Sequence, residues 1–109
     1  MGVQKDAGEL LLFFYDQMIN KDQIGTQQVI EETKWESNRI NNAYNYLNDM
    51  GILKQEMFLG NTNGVLNFLV LRLYPEGINI VENQPEFKRN FGFEVNLGLF
   101  KFSWGTLEK

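Results

Sequence analysis

The sequence contains no histidine and no cysteine among its 109 residues. Their absence excludes zinc sites built on imidazole or thiolate, cysteine nucleophiles, the serine–histidine pair and iron–sulfur clusters. It also excludes disulfide bonds, so nothing in the sequence indicates an oxidising compartment. No glycine-rich phosphate loop and no combination of acid, base and nucleophile replaces this chemistry. We therefore expect a protein that is not an enzyme and uses no cofactor.

Long apolar runs and an excess of basic residues are also missing. The longest apolar stretch, LLLFFY at residues 10–15, is far too short to cross a bilayer. The N-terminal stretch MGVQKDAGELL does not resemble a signal peptide, so we expect a cytoplasmic protein with no membrane partner. Ten Lys and Arg against 14 Asp and Glu give a net charge of −4. This balance argues mildly against nucleic acid, because counterion release from phosphates drives much of that affinity.

A helix is predicted over residues 7–20, where apolar positions recur at helical spacing. One stripe of this helix faces a core: Leu11, Phe14, Tyr15 and Met18. Phe13 lies nearly opposite that stripe, and a helix that is apolar all round is buried on more than one side. Either a later part of the chain or a second subunit covers Phe13, and the sequence leaves both alternatives open.

Two further helices are predicted next. The first covers roughly residues 26–33, with Thr26 as its N-cap. The second begins at Ser37, another good N-cap, and ends before Gly51, which fits the left-handed position that terminates a helix. Its inward stripe has the spacing i, i+3, i+4 and i+7: Ile40, Ala43, Tyr44 and Leu47.

Two apolar β-rich runs then flank a Gly/Asn turn, which predicts a β-hairpin. The runs cover residues 52–59 and 65–74, and the GNTNG segment between them predicts a loop slightly longer than two residues.

The C-terminal part combines helical turns with an aromatic tail. A helix restarts at Pro75, with Ile78, Val81 and Ile80 facing inward. One or two further turns run from Pro85 to Gly92, with Phe87 and Phe91 four residues apart. Residues 93–104 alternate with one slip of phase, which predicts an extended arm or a small hairpin.

This order of elements resembles a winged helix-turn-helix, and the residues carry the resemblance over about 7–83. IGTQQVIEET resembles the start of the first helix of the motif, and ESNRINNAYNYLNDMGIL resembles the second helix and its exit into the first strand of the wing. LRLYPEGINIVEN resembles the junction between the wing and the next helix. The resemblance implies an α+β fold with a three-helix core, a β-hairpin wing and a C-terminal helix. The expected organisation is a winged-helix domain at 1–83 and an aromatic, β-like extension at 84–109 that packs on this domain or on a second subunit.

Members of this superfamily commonly place the second helix in the DNA major groove and the wing on the backbone or minor groove. On a helical projection Asn38, Asn42 and Asn45 lie opposite the apolar stripe, with Arg39 beside them. Asparagine pairs well with adenine and arginine with guanine, so these four residues are the predicted base contacts. The predicted backbone contacts are Ser37, Lys34 and Lys54. The resemblance thus implies a DNA-binding transcriptional regulator.

The resemblance also implies a homodimer, since regulators of this kind often dimerise through their first and last elements. The predicted dimer interface consists of Phe13, Phe93, Phe100, Phe102 and Trp104. The alternative function is a winged-helix module for protein–protein interaction or assembly that does not bind DNA. Acidic net charge, an aromatic tail and a wing tip without Lys or Arg favour this alternative.

Overall fold

A computed structural model of the chain describes residues 2–19 and 23–95, and the described residues form an α+β fold. The elements in chain order are α1 (Val3–Ile19), β1 (Ile24–Gly25), α2 (Thr26–Thr33), α3 (Ser37–Asp49), β2 (Leu53–Thr62), β3 (Val65–Leu73), α4 (Pro75–Glu82) and α5 (Gln84–Phe91). The predicted α+β class is confirmed. The extended arm predicted at 93–104 lies outside the described residues from position 96 onward.

The strands form an antiparallel sheet in the order β1-β3-β2. Strand β1 was not predicted, since its two residues are too few to show a periodic pattern; Ile24 pairs with Val70 in β3. The prediction that Thr26 caps α2 is wrong, because Gly25 holds the cap position and Thr26 is already helical. The Thr26 hydroxyl instead donates to the Leu66 carbonyl at 2.7 Å and accepts from the Phe68 amide at 2.8 Å. These two bonds fix the start of α2 to β3.

The β2–β3 hairpin closes with a two-residue turn, so the predicted longer loop is wrong. Thr62 still pairs with Val65, and the turn consists of Asn63 and Gly64, with φ of 52° and 88°. Positive φ at both central residues is what a type I′ turn requires. The other glycine and asparagine of GNTNG belong to β2, where the register shift between Phe58 and Asn61 marks a bulge.

Helix α1 passes through the centre of the core. Its residues 10–14 are at most 1% exposed, although they cover every side of the helix. Phe13 is among them, so the chain itself covers this side chain, which is the first of the two alternatives considered for it. The predicted inward stripe of α3 is confirmed, since all four of its residues are buried. In α4 Val81 is buried as predicted, whereas Ile78 is 36% exposed and does not face inward.

Helix α5 packs on α1 and shares its core. Phe87 and Phe91 are both 1% exposed, with ring centroids 4.9 Å apart. Gly8 allows the two helices to approach closely, because a Cβ at this position would lie 2.7 Å from the Cβ of Phe91. As predicted, Pro85 lies in the first turn of α5 and Gly92 ends it with φ of 84°. Among the described residues, no helix combines the length and apolarity that crossing a membrane requires.

Candidate nucleic-acid interface

The outer face of α3 carries the three asparagines singled out in the sequence. Asn38, Asn42 and Asn45 are all exposed, and none of the hydrogen bonds among the described residues involves their side chains. They lie at i, i+4 and i+7, so they extend along one face for about 10 Å at 1.5 Å rise per residue. That length matches about three base-pair steps of B-DNA at 3.4 Å each. The structure therefore brings these three predicted residues together on one accessible surface.

Two other asparagines of α3 hold the helix against the hairpin. The Asn41 side-chain amide donates to the Gly64 carbonyl at 3.0 Å, and its oxygen accepts from the Leu66 amide at 2.9 Å. Near the other end of the helix, Asn48 accepts a bond from Gln55 at 3.2 Å. The asparagines of α3 thus divide into a structural pair and an exposed set of three, a division that the composition of the helix did not reveal.

Tyr44 anchors the middle of α3 to the sheet. Its ring stacks on Phe68 with centroids 4.0 Å apart and planes 7° from parallel. Its hydroxyl donates to the side-chain oxygen of Gln55 in β2. Burial raises the pKa of Tyr44 to about 12. Together with the asparagine bonds, this contact fixes the orientation of α3 relative to the hairpin.

The Arg39 side chain forms ion pairs with acidic residues of α1. Its guanidinium lies 3.0 Å from Asp6 and 3.7 Å from Glu9, both on α1, and 3.9 Å from the ring centroid of Trp35. Glu9 is completely buried and also pairs with Lys5 one turn away. A base contact by Arg39 would require these ion pairs to break. Sequence reasoning missed the cluster of Lys5, Asp6, Glu9 and Arg39, because Asp6 and Arg39 are 33 positions apart in the chain.

The three predicted phosphate contacts lie on different elements of the structure. Ser37 is the first residue of α3, and the prediction that it caps the helix is wrong, because Glu36 holds the cap position without a side-chain bond. Ser37 lies instead against the hairpin turn, where a Cβ on Gly64 would be 3.0 Å from its hydroxyl. Lys34 is exposed and ends α2 in the left-handed conformation with φ of 55°. Lys54 is exposed on β2, opposite Arg72.

Acidic residues outnumber the cations in this part of the chain. Residues 31–54 contain three cations and four acids: Lys34, Arg39 and Lys54 against Glu31, Glu32, Glu36 and Asp49. Because Arg39 is already paired with acids of α1, Lys34 and Lys54 remain against four acids in this range. The surface therefore attracts phosphate only weakly. Any binding of DNA would depend mainly on hydrogen bonds from its side chains.

Strand β2 exposes three consecutive apolar side chains that the sequence analysis did not single out. Met57, Phe58 and Leu59 are 45%, 54% and 98% exposed. β2 is an edge strand of the described sheet, and its bulge follows directly after Phe58. The signal was present in the sequence, since three successive apolar residues place apolar side chains on both faces of a strand. We call these three residues the β2 apolar strip.

Of the predicted dimer-interface residues, the structure places two. Phe13 is buried within the single chain and has no surface left for a partner. Phe93 is half-buried, with its ring edge-on to Phe87 at 5.1 Å and under Lys5 at 5.4 Å. Phe100, Phe102 and Trp104 lie outside the described residues. The homodimer stays a prediction, and Phe13 no longer supports it.

In the part of the chain that the structure describes, no group of three or more acidic side chains is arranged to hold a metal ion. Comparisons with protein-family models, with curated proteins and with solved structures find no match for this chain. The site must therefore be interpreted from its own geometry.

Proposed function

We propose that the chain is a small, non-enzymatic winged-helix protein that binds double-stranded DNA and acts as a transcriptional regulator. The observation that carries this proposal is the row of Asn38, Asn42 and Asn45. Their side chains are exposed and make no hydrogen bonds with other described residues. The order of elements is compatible with a winged helix, and α3 lies beside a long hairpin whose turn it contacts through Asn41. In this superfamily the corresponding helix reads the major groove.

The residues have distinct roles in this proposal. Each exposed asparagine can donate to and accept from an adenine edge, a pairing worth about 1–3 kcal/mol of discrimination. Lys34, Lys54 and the first free amides of α3 near Ser37 contact phosphates. Arg39 positions α3 on α1 and does not read bases, because its guanidinium is bound to Asp6.

The first prediction concerns the asparagine row. Replacing Asn42 and Asn45 with alanine is expected to weaken binding to a selected DNA site by about tenfold or more, because two base pairings are lost. The measurement is a fluorescence-anisotropy titration at low salt, using a site selected from random duplexes. Asn79→Ala is the matched control, since Asn79 is exposed on α4, and it should leave the affinity unchanged.

The salt dependence provides an independent check. With Lys34 and Lys54 as the available phosphate contacts, the slope of log K against log salt should be about −2. Failure to bind any duplex at micromolar protein and low salt would refute DNA binding. Equal effects of the asparagine pair and Asn79→Ala would refute the assignment of the reading face.

A second candidate function, a protein-interaction or assembly module, is favoured by the β2 apolar strip. An exposed edge strand with apolar side chains can accept a strand or an apolar surface from a partner. Acidic surroundings, which oppose DNA, do not oppose this function.

Charged substitutions in the strip discriminate between the two functions. Under the interaction hypothesis, Phe58→Lys and Leu59→Lys should abolish co-purification of a stoichiometric partner, whereas the Asn42/Asn45 double variant should retain it. Both lysine variants should fold, since these side chains are exposed. Under the DNA hypothesis, the added cations should leave binding intact or strengthen it. Loss of DNA binding in both variants, with no partner recovered, would contradict both expectations.

A further inference from the structure

A cavity of about 360 Å³ lies between α1, β3 and α4, and its lining includes no residue of α3. Tyr15 and Met18 line it from α1, Arg72 and Leu73 from β3, and Ile78 and Glu82 from α4. Its volume falls within the range of about 300–1,000 Å³ that is usual for small-molecule sites. We call it the α1–β3–α4 cavity.

The floor of this cavity is apolar and partly open to solvent. Leu73 is buried, Met18 is half-buried and Ile78 is 36% exposed. The sequence analysis predicts that Ile78 of α4 lies in the core, whereas in the structure it lines this cavity. Covering these side chains with an apolar group would remove hydrocarbon surface from water, which favours binding.

The two charged residues of the lining, Glu82 and Arg72, have different partners. Glu82 accepts a hydrogen bond from the Tyr15 hydroxyl at 2.6 Å, and this bond is the main reason that the pKa of Tyr15 rises to about 12. Arg72 makes no ion pair with an acid among the described residues; its guanidinium donates to the Leu73 carbonyl at 3.4 Å and lies 5.1 Å from the Tyr74 ring. Lys54 is its register partner on β2 but does not line the cavity. The lining therefore offers one guanidinium that is not paired with an acid among the described residues.

We propose that the α1–β3–α4 cavity binds a small monocarboxylate with an apolar chain. The planar guanidinium of Arg72 holds the carboxylate through paired hydrogen bonds, a geometry that suits arginine better than lysine. The apolar chain lies on Met18, Leu73 and Ile78. Glu82 carries a negative charge into the same cavity and disfavours a second anionic group on the ligand. This site is independent of the proposed DNA contact, and either can fail without the other.

A titration of the full chain with octanoate, followed by two-dimensional amide NMR, tests the proposal. Octanoate should produce saturable shifts at residues 72–82, whereas acetate, which lacks the chain, should produce none. Octylammonium, with the same chain and the opposite charge, should bind at least about tenfold more weakly because it loses the charged bond to Arg72.

Three variants locate the contact. Arg72→Gln should weaken octanoate binding by about tenfold or more, while Lys54→Gln, which removes the neighbouring cation outside the lining, should change it by less than about twofold. Ile78→Glu should abolish binding, with an otherwise unchanged spectrum showing that the fold is intact. Equal effects of the Arg72 and Lys54 variants would overturn the proposal, as would octylammonium binding as tightly as octanoate. Absence of saturable shifts with millimolar octanoate would also overturn it.

Discussion

Replacing Phe91 with alanine is expected to lower the free energy of unfolding by about 3–5 kcal/mol, the usual range for a fully buried phenylalanine. The ring is 1% exposed and lies 4.9 Å from the ring of Phe87 and 6.5 Å from that of Tyr46, centroid to centroid. These contacts link α5 to α3 and place it in the core that α1 occupies. The loss should appear in urea unfolding followed by circular dichroism, as a lower midpoint with a single transition.

Lys88→Ala is the matched control, since Lys88 lies on the exposed side of the same helix. Its effect should stay within about 0.5 kcal/mol, as is usual for surface substitutions. If the Phe91 and Lys88 variants were equally stable, α5 would be an appendage and not part of the core. A second, earlier transition in the parent protein would lead to the same conclusion.

Gly8→Ala tests the contact between α1 and α5 from the side of α1, where Gly8 lies against Phe91. In a helix interior, alanine is ordinarily more stable than glycine by about 1 kcal/mol. Here the added methyl carbon would lie 2.7 Å from the Cβ of Phe91 and 2.8 Å from the ring of Phe93, closer than carbon atoms approach. We therefore expect the opposite sign, a destabilisation of about 1–3 kcal/mol, as in other overpacked cores.

The parts of the fold that the sequence predicted well depend on local periodicity. The buried stripe of α3 follows from apolar residues at helical spacing, and Pro75 and Gly92 mark helix ends through their own backbone preferences. Ile78 shows the limit of this reasoning. Its spacing from Val81 fits an inward stripe, but whether a stripe is covered depends on what packs against it, and the structure leaves Ile78 at a cavity.

The hairpin shows a different limit. Glycine and asparagine adopt positive φ in a turn and in a bulge alike, so GNTNG is compatible with one long loop or with a tight turn beside a bulge. The choice is made by pairing with β3, where Thr62 meets Val65 and Phe58 meets Asn67. Thr26 was mistaken for a cap for a similar reason, because its hydroxyl partners are forty residues away in β3.

The sequence predicted which polar residues share the outer face of α3, but it did not predict correctly which of them are free to contact a partner. Helical projection placed Asn38, Asn42 and Asn45 on one face, and the structure agrees. Arg39 adjoins that face in projection, yet a long side chain can turn toward either side of its helix. Which side it takes depends on the acids of α1, which projection of α3 alone cannot include.

The second large effect is expected at Arg39. Arg39→Met keeps most of the apolar length of the side chain and removes its charge. Glu9 then stays completely buried, with Lys5 as its remaining ion-pair partner among the described residues. Breaking a buried ion pair by removing one partner costs about 3–5 kcal/mol. The Arg39 and Lys5 side chains are 31% and 34% exposed, so water screens part of this loss. We therefore expect Arg39→Met to lower the free energy of unfolding by about 2–3 kcal/mol.

The cause of this loss can be separated from loss of packing by a second substitution. If an uncompensated buried carboxylate destabilises Arg39→Met, then adding Glu9→Gln should restore stability by about 1 kcal/mol or more, because a neutral amide is less costly to bury. A further loss in the double variant would contradict the argument. The same pair of substitutions also tests the proposed function. If the chain binds DNA through the asparagines and Arg39 only holds α3 on α1, the double variant with restored stability should bind DNA as the parent does. A tenfold loss of affinity with stability restored would instead make Arg39 a reader that leaves its ion pairs on binding.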